Sequence, residues 1–345
     1  MRPVGNQPLY RTLREEIELY IQREQPVLLP TERELMAQYG VSRKTVRSAV
    51  AELIRTGRVT PVRGKGTLVN PTVPTAAAPV IILDSYETLP AYEYEIYLAV
   101  RQQLDAAGIL PSVHLIDPHS PTLAGQLQLI PEHRRILLFS TICNREEAWY
   151  YFRRRADAIL CLGFRPQQPF SYCCSDLADG FRQLTQLLLE RGHRRIALLS
   201  LHRDRERGQA FAAAHRAAGI ALDPELCLEA AGTRRDGYRA INRLLERNTD
   251  FTAVLAHNDR CALGAMEGLL QRGINIPEEV SLAGCDNLVD AQSFPVPLTT
   301  AAHQHEIYAG IARAFLSGEP SPTARIIPMS IVNRQSIKEC PLCAT

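Results

Sequence analysis

From Val80 onward the chain alternates two textures. Predominantly apolar runs stand at residues 80–83, 136–139, 158–162, 196–200, 253–256 and 281–284. Between them lie stretches of helical period at 94–107, 146–154, 179–191, 207–218, 237–247 and 262–272. A strand that is apolar at every position must be buried on both faces, which happens in parallel sheets covered by helices on each side. The expected class is therefore α/β, with parallel sheets and helices on both faces. Roughly 250 residues of this rhythm suit two sheets, and so two lobes, better than one. Ligands of such sheets bind beyond the carboxyl ends of the strands. The polar residues just past each run are thus the candidates: Ser85 after the first, Arg207 at a helix start, Asn258 in His257-Asn258-Asp259, and Asp286 in Cys285-Asp286-Asn287. Carboxylate, amide and guanidinium groups converging on a crevice suit a polar, sugar-like small molecule. Capping of the next helix is the competing role for Asn258 and Asp259.

The first 70 residues read differently. They carry 12 Lys and Arg against 7 Asp and Glu, whereas the whole chain carries 39 against 37. A basic head on a slightly acidic body points to a polyanionic partner for the head. Leu9, Leu13 and Ile17 set a helical period over 8–23. Thr31 with Glu34 forms a capping box for a short helix that Gly40 ends. Ser42 caps a helix over 43–56, stopped by Gly57. Two β-branched runs at 59–62 and 67–69 flank Arg63-Gly64-Lys65-Gly66, which reads as a hairpin. Helix, turn, helix and hairpin in that order make a winged helix-turn-helix. The second helix opens with Ser42, Arg43, Lys44, Thr45 and Arg47, residue types suited to base edges and phosphates in a major groove. The tip Arg63, Gly64, Lys65 offers cations without bulk to phosphates. Residues 71–79, rich in Pro and Ala and uncharged, read as a linker.

The head resembles the GntR family. The stretches that carry the resemblance are Leu29-Pro30-Thr31-Glu32-Arg33-Glu34-Leu35, Tyr39-Gly40-Val41-Ser42-Arg43-Lys44-Thr45-Val46-Arg47 and Gly64-Lys65-Gly66-Thr67, within residues 8–69. The resemblance implies DNA contacts by Arg33, Arg43, Thr45, Arg47 and the wing. The loop before Leu29 is shorter than the family's. The body resembles the LacI-type sensor, itself similar to periplasmic sugar-binding proteins. That likeness rests on Arg191-Gly192-His193-Arg194-Arg195-Ile196, Asn258-Asp259-Arg260-Cys261-Ala262, Gly273-Ile274-Asn275-Ile276-Pro277 and Pro297-Leu298-Thr299-Thr300. It implies an effector cleft lined by Ser85, Arg207, Asn258 and Asp286, an aromatic from Tyr92 or Tyr94, and a contact at His303. An acidic residue common in that family falls on Gly163. The combination is also the arrangement of arabinose repressors, and it implies domains at 1–70 and 80–336. The chain is expected to cross between lobes near 175, 297 and 325, with a loose tail at 337–345.

These readings define a ligand-responsive transcription regulator, a repressor working as a homodimer on a double-stranded DNA operator. An enzyme is the rival class. The chain has only three lysines, Lys44, Lys65 and Lys338, so the body lacks a Schiff-base or P-loop lysine. No catalytic constellation, cofactor or metal site is read. Nine cysteines, an odd number without framework spacing, read as reduced thiols, and Cys340/Cys343 as part of the free tail. No apolar run approaches the ~18–20 residues of a membrane span, and no signal peptide is read. A cytoplasmic protein without a membrane partner is expected.

Overall fold

The computed structural model describes residues 9–24, 26, 28–55, 58–62, 66–69, 79–84, 90–128, 130, 133–201, 205–247, 249–319 and 324–340. Ser85, Arg63, Gly64, Lys65, the linker residues 70–78 and Cys343 lie outside the described residues. The chain divides into two units, Met1–Ala78 and Pro79–Thr345.

In the first unit, α1 (Leu9–Glu24), α2 (Glu32–Tyr39) and α3 (Arg43–Arg55) pack against a small antiparallel sheet. Leu13, Ile17 and Ile21, four apart on α1, meet Leu35, Val46, Ala49 and Leu53 in one buried cluster. Thr31 and Glu34 complete both bonds of the capping box, and Gly40 closes α2 in the left-handed conformation. The sheet order is β1 (Leu28–Leu29), β3 (Gly66–Val69), β2 (Val59–Val62). The hairpin was expected. The short β1, which pairs with β3, was not, and it occupies the segment where the loop is short.

The second unit holds two six-stranded sheets. One has the order β5 (Ser112–Ile116), β4 (Val80–Asp84), β6 (His133–Phe139), β7 (Ala156–Leu162), β8 (Ser171–Ser175), β14 (Ala324–Ile327). Every pairing in it is parallel. The other has the order β10 (Cys227–Glu229), β9 (Ile196–Ser200), β11 (Ala253–Ala256), β12 (Ser281–Asp286), β13 (Thr299–Ala302), β15 (Ser330–Val332). Only its edge strand β15 runs antiparallel. Helices α4 (Ala91–Ala106), α5 (Leu123–Gln128), α6 (Glu146–Arg155) and α11 (His305–Leu316) belong to the first lobe. Helices α7 (Leu177–Glu190), α8 (Arg205–Ala217), α9 (Arg234–Glu246) and α10 (Asp259–Gln271) belong to the second.

The chain passes between lobes three times. The first passage follows Ser175, between β8 and α7. The second lies at 303–304, after β13, and not near 297: Pro297-Leu298 leads into a strand of the second sheet before the chain leaves. The third lies at 328–329, between β14 and β15, because residues 324–327 still pair with β8. The tail also departs from expectation. Its described part is docked: Cys340 is buried, its amide donates to the Arg191 carbonyl at 2.7 Å, and the Lys338 carbonyl bonds His193 Nε2 at 3.1 Å.

Candidate effector cleft and DNA-reading face

In the head, α3 presents Ser42, Arg43, Lys44 and Arg47 to solvent, with Thr45 half-buried. Ser42 caps the helix, its Oγ accepting from the Thr45 amide at 3.3 Å and lying 2.9 Å from the Thr45 hydroxyl. Arg33 is exposed on α2. Sequence reasoning missed Glu32. Its carboxylate accepts from Arg43 Nε at 2.8 Å on one oxygen and from Arg47 Nε at 3.0 Å on the other. The guanidiniums, Arg43 foremost, hold the Glu32 carboxyl below its usual range. Both arginines are thereby tethered through Nε, an arrangement compatible with a terminal fork of the kind that arginines use on guanine edges. We expect Arg47→Ala to weaken binding to a specific operator at least about fivefold. Equal affinities of mutant and parent in a gel-shift titration would remove Arg47 from the reading face.

In the body, both sheets end in polar residues at their carboxyl edges. Asp84 ends β4, Ser140 follows β6, Gly163 follows β7 and Ser175 ends β8. Opposite them, Ser200 ends β9, His257 follows β11, Asp286 ends β12 and His303 follows β13. One network joins the two rims. The Tyr92 ring, in the first turn of α4, stacks on His303 with centroids 4.6 Å apart and planes 13° from parallel. His303 Nε2 lies 3.3 Å from Asp286 Oδ1, and its Nδ1 lies 2.7 Å from the Ser175 hydroxyl. Ser175 in turn meets the hydroxyl of the fully buried Tyr308 at 2.9 Å. Tyr92, Asp286 and His303, separate in sequence, are thus brought together. Asp286 has φ 114° and Asn287 φ 55°, conformations that non-glycine residues adopt at a cost of roughly 1–3 kcal/mol and that cluster at ligand sites.

Arg207 lies buried on the second lobe, its guanidinium 5.4 Å above the Phe181 ring. Its Nη1 is 3.1 Å from His257 Nε2, and His257 Nδ1 is 3.1 Å from Ser200 Oγ. Arginine can only donate, so His257 accepts at Nε2 and carries its proton on Nδ1. Arg207 also lies near Cys285, next to Asp286. Asn258 caps α10, accepting from the Cys261 amide at 2.9 Å through Oδ1, which leaves its side-chain amide nitrogen facing Gly232. Asp259 is structural: fully buried, it accepts from the Leu288 amide at 2.8 Å and the Thr300 hydroxyl at 2.6 Å. Tyr94 does not join the stack. It lines a cavity of about 510 Å³ with Glu95, Arg234, Arg260, Val289 and Asp290, where Glu95 Oε1 accepts from the Val289 amide at 3.1 Å and links the lobes.

Two further carboxyls were not foreseen. Asp84 accepts from Ser140 Oγ, and burial raises its affinity for a proton. Glu93 is 5% exposed and accepts from the Tyr92 hydroxyl at 3.1 Å, and burial pushes it up to about 8. A side chain at Gly163 would collide with it, since a Cβ there would lie 3.0 Å from Glu93 Cγ. Gly163 thus leaves room for an acid carried by α4.

Among the described residues no group of three His, Cys, Asp or Glu could hold a metal ion, and no helix is long and apolar enough to cross a membrane. Residues 8–69 match the profile of bacterial regulatory proteins of the gntR family, and residues 185–337 that of a periplasmic binding protein-like domain. The HTH-type transcriptional repressor PurR of Pasteurella multocida is 31% identical over 170 residues, 46% of this chain and 51% of that protein. The chain thus spans about half the length of this curated relative. A LacI family transcriptional regulator from Enterococcus faecium with bound ribose superposes with a TM-score of 0.65 at 19% identity, over 75% of this chain and 99% of the other. The transcriptional regulator CelR in complex with cellobiose gives 0.61 at 24% identity, over 89% and 99%. The head is thus similar to bacterial regulatory proteins of the gntR family, and the two parallel-sheet lobes have the fold of periplasmic binding protein-like domains.

Proposed function

We propose that this protein is a ligand-responsive DNA-binding transcription regulator, a repressor that binds a double-stranded operator as a homodimer. The observation that carries the reading is the pairing, in one chain, of an exposed Arg43–Arg47 face on α3 with a cleft whose buried polar groups face each other across two sheets. Arg207, Asn258, Asp286, Tyr92 and His303 hold a polar, sugar-like effector, with Ser85 expected beside them. The ribose and cellobiose carried by two structural neighbours support that class. Arg33, Ser42, Arg43, Lys44, Thr45 and Arg47, with the wing Arg63, Gly64 and Lys65, hold DNA. The sensor works by altering the angle between its lobes. The Tyr92–His303 stack and the Glu95–Val289 bond are the contacts that such a motion makes or breaks. A ligand changes operator affinity only through a difference in its affinity for the two lobe arrangements.

Asp286→Asn tests the cleft. Asparagine tolerates positive φ better than alanine does, so the strained turn survives while the charge is removed. Operator binding should be retained and effector affinity lowered about tenfold or more, since a charged hydrogen bond contributes roughly 1.5–3 kcal/mol. Calorimetric titration beside a melting curve reads both. Full effector affinity with a lowered melting temperature assigns Asp286 to the turn alone and ends its role in the site.

A further inference from the structure

We propose that the exposed back of α9, in the sensor body, is a second DNA-binding surface, one that takes the phosphate backbone of a duplex without regard to sequence. It is separate from the reading face of the head. Residues four apart on a helix form a ridge along its surface, and two such ridges run side by side on α9. The first is Arg234, Tyr238, Asn242 and Glu246, and it is spent on α10 and the residue that follows it. Arg234 Nε donates to Glu267 Oε2 at 2.8 Å, and the Tyr238 hydroxyl donates to Gln271 Oε1 at 2.7 Å. Arg272 Nη2 reaches Asn242 Oδ1 at 3.3 Å and Glu246 Oε1 at 3.9 Å. The second ridge lies one residue on and is arginine at every position: Arg235, Arg239, Arg243 and Arg247. All four are exposed.

Among the described residues no carboxylate forms an ion pair with any of the four. The acids of the two helices are engaged elsewhere. Glu267 and Glu246 hold Arg234 and Arg272, Asp236 accepts from the Thr233 hydroxyl at the start of α9, and Asp259 is buried against Leu288 and Thr300. At a rise of 1.5 Å per residue the arginines follow one another about every 6 Å, and the row extends about 18 Å. Like charges four apart on a helix repel and weaken it. A face that only had to be soluble would mix signs, as the neighbouring ridge does. An evenly charged polyanion laid along the row removes the repulsion, and each guanidinium offers a fork that matches phosphate oxygens.

The surroundings favour a nucleic acid over an acidic protein. Protein interfaces have a centre enriched in apolar and aromatic side chains, whereas nucleic-acid interfaces are polar and strongly positive. Among the described residues α9 exposes no large hydrophobic side chain. Duplex DNA is the polyanion that the head is built to meet. Contacts to phosphate carry no base information, so the ridge should hold a duplex of any sequence.

The full-length protein is titrated with a labelled mixed-sequence duplex of about 40 base pairs, by fluorescence anisotropy, across roughly 50–200 mM KCl. Each phosphate contact steepens the fall of log affinity with log salt by about 0.9. A variant carrying Arg235→Gln, Arg239→Gln, Arg243→Gln and Arg247→Gln keeps good helix formers on the ridge and removes its charge. Its slope should be shallower by about 3, and its affinity at the lowest salt at least about tenfold weaker. The head is intact in both proteins, so its own phosphate contacts cancel. A control of equal net charge, with Arg153→Gln, Arg216→Gln, Arg313→Gln and Arg325→Gln at exposed positions on four other elements, should keep the parent slope. If the fourfold ridge variant melts early, Arg239→Gln with Arg243→Gln should give about half the change in slope. Equal slopes in parent and ridge variant, an equal loss in the control, or no duplex binding by the parent overturns the proposal. Poly-L-glutamate is titrated in parallel. Loss of its binding in the ridge variant, with duplex binding unchanged, assigns the ridge to an acidic protein and overturns the proposal as well.

Discussion

Gly264→Ala is expected to lower the melting temperature of the sensor body by about 6–12 °C, which corresponds to a loss of about 3 kcal/mol in a unit of this size. Two effects oppose each other at this position. Alanine is the better helix former by about 1 kcal/mol, and Gly264 lies within α10. Against that, a Cβ at Gly264 would stand 1.8 Å from the Arg234 carbonyl oxygen and 2.8 Å from the Tyr238 nitrogen. The obstacle is backbone, which cannot rotate aside. Gly237 on α9 meets the Cys261 carbonyl in the same way, at 1.9 Å, so the two helices cross with their main chains in contact. A methyl group forces them apart and opens the cluster of Ala240, Ile241, Leu244, Ala265, Met266 and Leu269 beneath. Packing therefore outweighs propensity. A melting curve of the full chain decides it, and an unchanged or raised transition would show that the helices separate at little cost.

The legible part of this fold is its interior. Central strands such as Ile196–Ser200 and Ala253–Ala256 are buried at every position, and their sequences are apolar but for the closing Ser200. The strands that sequence reasoning passed over lie at edges or carry small polar residues. Ser112–Ile116 alternates half-buried and exposed positions up to the buried Ile116, at the rim of its sheet, and carries His114. Ser171–Ser175 is Ser-Tyr-Cys-Cys-Ser, and Thr299–Ala302, though wholly buried, is Thr-Thr-Ala-Ala. Neither has the aliphatic run that marks a core strand. The docking of the tail was invisible for a similar reason: the backbone groups of Lys338 and Cys340 make part of the attachment and carry no sequence signature, and the ion pairs of Lys338 with Glu278 and of Glu339 with Arg191 join residues far apart in the chain.

The site was legible where a polar residue ends an apolar run, as with Asp286, and illegible where long-range contact decides. Glu32 reads as an ordinary acidic residue in the first turn of a helix, where it complements the helix dipole. Its hold on Arg43 and Arg47 depends on how α2 crosses α3. Glu93 was hidden by a boundary. The helical period was read from Tyr94, whereas α4 begins at Ala91 directly after Pro90. A glutamate before a helix looks solvated. A glutamate in the first turn, set against a glycine 70 residues away, is buried. The position where an acid was missing, Gly163, and the acid that fills its space belong to different elements, and only the folded chain brings them together.

Glu93→Gln is expected to stabilise the protein at pH 8.5 and to leave it nearly unchanged at pH 5. Burial raises the folded-state Glu93 from its ordinary 4.5 to about 8. The folded chain therefore binds this proton more tightly than the unfolded chain. Below pH 4.5 both states are protonated and the full stability is present. As pH rises the unfolded chain ionises first, so the free energy of unfolding falls, and it goes on falling until the folded group ionises near pH 8. Over that window the loss is on the order of 5 kcal/mol, since each pKa unit corresponds to about 1.4 kcal/mol. Glutamine keeps the shape and an oxygen for the Tyr92 hydroxyl but has no proton to lose. Asp84 and Asp259, also raised by burial, are present in both proteins and cancel in the comparison. Melting temperatures of the two proteins should therefore coincide near pH 5 and diverge toward pH 8.5, with the variant higher. Parallel curves would show that Glu93 is solvated and ionised in the folded chain.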